Sequence, residues 1–284
     1  MIEMLIKPKR AERKPWEMFF IGLFYASVSF LLVSFVFGKD FVLSGGSGLL
    51  LVIFTVISCL PFVYYIIKLE EGKDVQISDS GKLIKEHSKA IISFMWLFLG
   101  FVIAFSFWYI VMPDQAGQNF NFQIKTFCAI NSATDYNGCL GRHGVEVVTG
   151  SATKINSFMS IFANNIYVLI FTLLFSLTFG AGAIFILVWN ASVIASAIGI
   201  FAKGSLASLP MGILRYMIHG IPEIAAYFIA ALAGGIISVA IIRKDLRGEK
   251  MWGIFQDALV LIIISVAILV VAGMMEVYLT PVLF

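Results

Sequence analysis

Arg215, His219 and Glu223 stand four residues apart, at the head of one of the most apolar stretches of the chain, residues 224–242. On a continuous helix that spacing puts the three side chains on one face. Ionisable groups at membrane depth are costly, so they are usually paired and often functional. A proton relay in a transporter could use an imidazole and a carboxylate placed in this way. A metallopeptidase would need further ligands, because His-x-x-x-Glu is not His-Glu-x-x-His. An intramembrane serine hydrolase would need a placed serine beside the histidine, and no nucleophile motif stands out. The structural alternative is strong. Pro222 is suited to the first position of a helix, where its missing N–H costs nothing. Glu223 would then lie in a first turn, stabilised by the macrodipole, with Arg215 as counter-ion and residues 205–220 as an interfacial or re-entrant segment. The residues favour this structural reading, and no catalytic residue is assigned.

The surrounding elements must be membrane spans. The 284 residues are 60% hydrophobic and only 13% charged, against about 25% charged in an ordinary soluble domain. Seven apolar runs, at 17–37, 48–67, 91–112, 160–180, 182–202, 222–242 and 257–280, each approach the ~20 residues a helix needs to cross the hydrocarbon. The first follows a basic tail but is too long for a signal peptide and lacks a small-residue cleavage site. Division of the long stretch 160–202 requires a tight turn at Gly180-Ala181-Gly182. The predicted fold class is therefore an all-α, polytopic bundle in the cell membrane. No repeat or low-complexity segment is present. Gly45-Gly46-Ser47-Gly48 reads as a turn between spans one and two, not as a phosphate loop.

Lysine and arginine set the expected orientation. Lys7, Lys9, Arg10, Arg13 and Lys14 precede span one; Lys68, Lys73, Lys82, Lys85 and Lys89 follow span two; Arg243, Lys244, Arg247 and Lys250 follow span six. Only Lys39, Lys125, Arg142, Lys154, Lys203 and Arg215 fall on the other side, a split of 14 to 6. The N-terminus is expected inside and the C-terminus outside. The polar connector 70–88 would place its lysines near anionic headgroups. No basic face interleaved with aromatics stands apart from the membrane flanks, so nucleic acid is not an expected partner.

The long loop 113–159 then lies outside, too short for a core of its own and suited to capping the bundle. It holds Cys128 and Cys139, which outside a cell would pair and close a loop of about a dozen residues. Cys59, in span two, reads as a small packing residue. His143 and Glu146 resemble a metal pair but lack further ligands at fixed spacing, so a solvated loop is preferred and neither metal nor cofactor is expected.

Helix association in lipid depends on close backbone contact. Ala191, Ala195 and Gly199 in span five, and Ala226, Ala230, Gly234 and Ser238 in span six, form small-residue stripes that predict mutual packing of these spans. Asn190, mid-span, needs a partner on another helix or in a wet cavity. Asn164, Asn165, Arg215, His219, Glu223 and Glu276 are all expected in the outer half of the membrane, where they could form one polar cluster.

These features together resemble the stage II sporulation protein M family of integral membrane proteins. The resemblance rests on Asn164-Asn165 opening a span, on Gly180–Gly182 leading to Asn190, and on His219-Gly220-x-Pro222-Glu223 followed by a small-residue helix. It covers residues 91–284, a five-span core, with residues 1–90 as a basic tail, an added two-span hairpin and an inside connector. One departure is Asn190-Ala191, where the family has Asn-Gly. The resemblance implies a polar cluster of Asn164, Asn165, Asn190, His219, Gly220, Pro222 and Glu223. It also implies a non-enzymatic membrane scaffold: in spore formers the family member supports peptidoglycan-degrading partners during engulfment. Protein partners would be held through the outer loop or the inside connectors. The competing expectations are a transporter or channel whose path runs past Asn190 to His219 and Glu223, and an intramembrane hydrolase.

Overall fold

The computed structural model describes residues 8–38, 40, 43–76, 80–131, 139, 154–179, 183–242 and 249–284, and among these residues every regular element is helical. A short helix α1 (Pro8–Arg13) precedes α2 (Glu17–Leu32), which ends in a π turn, Val33–Phe37. Then come α3 (Ser47–Gln76), α4 (Ser80–Val111), and two short helices, α5 (Pro113–Asn119) and α6 (Asn121–Asn131). The second half contains α7 (Lys154–Phe179), α8 (Ala183–Ala202), α9 (Leu209–Ile242) and α10 (Glu249–Met274). A π turn, Met275–Leu279, and α11 (Thr280–Leu283) follow. Among the described residues seven helical spans are long and apolar enough to cross a membrane. The chain is a multi-pass, all-α membrane protein.

Two sets of contacts organise the bundle. Helix α2 runs along α4, which in turn packs on α8; α9 packs on both α7 and α10. The α2–α4 approach is a backbone contact. A Cβ on Gly22 would overlap the Leu97 carbonyl, and a Cβ on Gly100 would overlap the Phe19 carbonyl. Only hydrogen side chains at both positions permit this proximity, the usual route to helix association without a hydrophobic drive.

Helices α5 and α6 lie across the end of the bundle, bonded to the turn between α2 and α3. Gln118 Nε2 donates to the Gly38 carbonyl (3.1 Å), Asn119 Nδ2 to Ser34 Oγ (2.6 Å) and Gln123 Nε2 to the Gly48 carbonyl (3.0 Å). Ser47 Oγ donates in the other direction, to the Gln118 carbonyl at 2.8 Å. Below them Phe120 stacks on Phe30 and meets Phe105 edge-on, with centroids 5.9 and 5.8 Å apart. Residues 113–131 therefore form an ordered cap. Most of the remainder of this loop, His143 and Glu146 included, lies outside the described residues, as do the Gly180–Gly182 turn and Arg243 to Arg247.

Three expectations are corrected. The sixth span does not begin at Pro222: α9 is one helix from Leu209 to Ile242 with Pro222 inside it, so residues 209–220 are not a separate interfacial segment. Pro210 takes the first-turn place suited to proline. Pro222 instead deprives the Ile218 carbonyl of its helical donor, a defect that neighbouring helices allow in membrane spans. Secondly, Glu223 is not near a helix terminus. It lies roughly 20 Å along α9 at ~1.5 Å per residue, near the middle of the apolar span Leu206–Ser238. Thirdly, the glycines of the two stripes do not face each other. A Cβ on Gly199 would overlap the Tyr109 ring of α4, and one on Gly234 would meet the Leu173 carbonyl and Ser176 of α7. Helices α8 and α9 meet instead where Gly212 touches Ile198 and Phe201.

Candidate functional site

Six polar side chains converge on one half-open cavity of about 100 Å³: Asn164 and Asn165 from α7, Asn190 from α8, His219 and Glu223 from α9, and Glu276 from the π turn. Gly220 lines it too, and Phe127 and Ile130 of α6 close one side. Two irregular pieces of transmembrane backbone border this cavity. Glu223 directly follows Pro222, and Glu276 sits in the Met275–Leu279 π turn. A proline and a π turn both displace side chains from the regular helical rows, and π turns recur at functional sites.

The hydrogen bonds determine which atoms face the cavity unpaired. Thr280 Oγ1 donates to the Met275 carbonyl at 3.1 Å. Its one proton is thereby spent, so toward His219 Nδ1, at 3.2 Å, the hydroxyl accepts. Nδ1 therefore carries the ring proton, and in the neutral imidazole Nε2 is a bare lone pair. His219 is only 8% exposed. Asn190 Nδ2 donates to the Ile186 carbonyl of its own helix at 2.8 Å, and Asn164 Nδ2 donates to Asn165 Oδ1 at 3.3 Å. These donations fix both amide orientations. Tyr227, fully buried, donates its hydroxyl to Glu223 Oε1 at 2.8 Å, and the Asn165 amide is bonded to the same carboxyl. Glu276 is close enough to Glu223 for their charges to interact, and among the described residues no donor bonds to it.

Arg215 is not the counter-ion. Its Nη1 donates to the Phe284 carbonyl at 3.3 Å, and its guanidinium lies 5.4 Å from the centre of the Phe201 ring. Among the described residues it forms no ion pair with Glu223 or Glu276. The flat guanidinium gains more by stacking on an aromatic face at the helix end than by desolvation next to the carboxyls. Cys128 and Cys139 are joined in a disulfide, and Cys59 is a buried free thiol. The bridge anchors the end of α6, so it borders the wall made by Phe127 and Ile130. Among the described residues no group of three or more His, Cys, Asp or Glu is placed to hold a metal ion.

Sequence reasoning missed two functional partners. Tyr227 is four residues from Glu223, so helical spacing could have paired them. Thr280 is 61 residues from His219, and no local signal connects the two.

Similarity to known proteins agrees with this architecture. A family model described as stage II sporulation protein M matches residues 90–281, and so includes every polar residue of the cavity. An uncharacterized protein of Methanocaldococcus jannaschii is 34% identical over 134 residues, covering 44% of this chain and 71% of that relative. No solved structure matches. With most of its length matched and its polar cavity inside the matched region, the chain belongs to the stage II sporulation protein M family.

Proposed function

We propose that the chain is a transporter of a small polar solute in the cell membrane, with the cavity as its binding site. One observation carries the reading: polar groups from α7, α8, α9 and the π turn, distant in sequence, converge on space that the protein leaves unfilled. A purely structural polar cluster would be expected to satisfy itself and close. Sites bordered by interrupted helices are a usual design of secondary transporters. In this reading the basic stretches lie inside, α5 and α6 cap the outer end, and the cavity opens in the outer half of the membrane.

The test is accessibility from both faces. Ala197 lines the cavity, so Ala197→Cys in a Cys59→Ser background supplies one reactive thiol. A membrane-impermeant thiol reagent is applied to each face of oriented vesicles. Labelling from both faces supports transport; labelling from one face alone removes it.

A scaffold is the second reading, favoured by the exposure of α7. This span is the least buried of the seven and presents Tyr167, Ile170, Phe171 and Leu174 outward. Such a face suits a partner helix as well as lipid. The two readings separate on Glu223→Gln: a scaffold retains its partners and its cellular role, whereas a transporter loses solute movement while remaining inserted. The hydrolase reading has little support, because no serine or cysteine is among the residues lining the cavity.

A further inference from the structure

We infer that the solute is an ammonium group, either the ammonium ion or a small protonated primary amine, anchored by Glu276. This rests on the solute-site reading above and names its substrate class. The inference comes from the balance of free hydrogen-bonding valences. Donors of the wall are partly spent inside the protein: Asn190 on Ile186, Asn164 on Asn165 and His219 Nδ1 on Thr280, which leaves one N–H on each of these two amides and the Tyr216 hydroxyl. Atoms without a partner among the described residues are mainly acceptors: Asn190 Oδ1, Asn164 Oδ1, His219 Nε2 and the Glu276 carboxyl oxygens. A space lined in this way selects a donor-rich guest.

Charge narrows the choice. Two carboxyl groups border the space; the nearest guanidinium, Arg215, donates to Phe284, lies over Phe201 and reaches the wall at Tyr216 and His219, so it offsets one of the two carboxyl charges at most. An anion would be repelled by an ionised carboxyl and a neutral guest would leave the buried Glu276 protonated, whereas an ammonium guest supplies the counter-charge that lets this carboxyl ionise. A divalent metal ion is disfavoured because no three-ligand group of the usual kinds assembles among the described residues. Alkali ions prefer oxygen, and an imidazole lone pair gives them little. An N–H donor is served equally well by His219 Nε2, an amide oxygen and a carboxylate. Tyr216 and Phe127 also line the space, and their ring faces attract cationic nitrogen. A cavity of about 100 Å³ accommodates several water-sized groups, at roughly 10–15 Å³ each, so methylammonium fits.

The experiment is thermal unfolding of the full chain in lipid nanodiscs at fixed pH and ionic strength. Ammonium and methylammonium chloride are titrated against sodium chloride, potassium chloride and acetamide. The expected result is a saturable rise in Tm with ammonium, methylammonium or both, the stronger response identifying free ammonium or the amine as the guest. Glu276→Gln should weaken that response at least tenfold. If that variant does not fold, Asn190→Leu, on a different helix, should weaken it several-fold. An equal response to sodium or potassium, an unaltered response in the folded variants, or no response at all overturns the inference. A response to acetamide in place of ammonium also overturns it, yet leaves a solute site. One-sided labelling of Ala197→Cys with the ammonium response intact would instead remove transport and leave the ammonium site.

Discussion

His219 and Thr280 meet side chain to side chain at 3.2 Å, joining the middle of α9 to the last turn of the chain. This contact fixes the tautomer of the imidazole, and the tautomer exposes Nε2 to the cavity. Thr280→Val keeps the shape and removes the acceptor. In ¹⁵N NMR the wild-type His219 ring should show a protonated Nδ1 and a bare Nε2, whereas Thr280→Val should give a mixture of tautomers. The chain has three histidines, so single variants assign the signals. The stability loss should be about 1 kcal/mol, typical of one hydrogen bond. An unchanged tautomer would show that another group orients the ring.

Gly22 and Gly100 make a contact that tolerates no side chain. Gly100→Val should separate α2 from α4 and destabilise the protein by about 1–3 kcal/mol, the usual cost of overpacking. Gly117 is the control, because a methyl group there would have nothing within 4 Å. Gly117→Ala should leave the melting curve unmoved or raise it slightly, because alanine is the better helix former. Equal effects of the two substitutions would refute the close-approach account.

Only one of the three cysteines should alkylate when the denatured protein is treated without reductant, and all three after reduction, because Cys128 and Cys139 are bridged and Cys59 is free. Mass spectrometry reads the count. Closing so short a loop, with a sequence separation of 11, should contribute about 3 kcal/mol. A Tm unaffected by reductant would contradict an anchoring role for the bridge.

Pro222→Ala restores an N–H to the Ile218 carbonyl in the interior of α9. Tm should rise, since proline is poorly suited to a helix interior. The same straightening should move Glu223 within the cavity and weaken the ammonium response. A variant with higher stability and an unaltered response would mean that the helix irregularity plays no part in the site.

The seven spans were legible because each is an apolar run of membrane length, and the all-helical fold follows from that constraint. The start of α9 was not, because Arg215, His219 and several glycine and proline residues interrupt the hydropathy of residues 209–222. Pro222 looks like a helix opener in sequence and acts as an interior defect in the structure. The small-residue stripes marked close contacts correctly in kind, but a glycine does not encode the identity of its neighbour; Gly199 and Gly234 approach α4 and α7. Arg215 was paired with carboxyls on the strength of charge, and the aromatic ring of Phe201 competed successfully. Convergence of Asn164, Asn190 and Glu276 depends on three separate helix-packing choices, which no local pattern expresses.

The bonds from α5 and α6 to the first hairpin also impose an order on biogenesis. Ser47 waits for a carbonyl 71 residues later, and Ser34 for an amide 85 residues later. The first two spans are therefore synthesised before the groups that secure their connection. Until those groups follow, the hairpin has only its own helix contacts and lipid, and the bonds across its turn form when the cap is laid over the bundle.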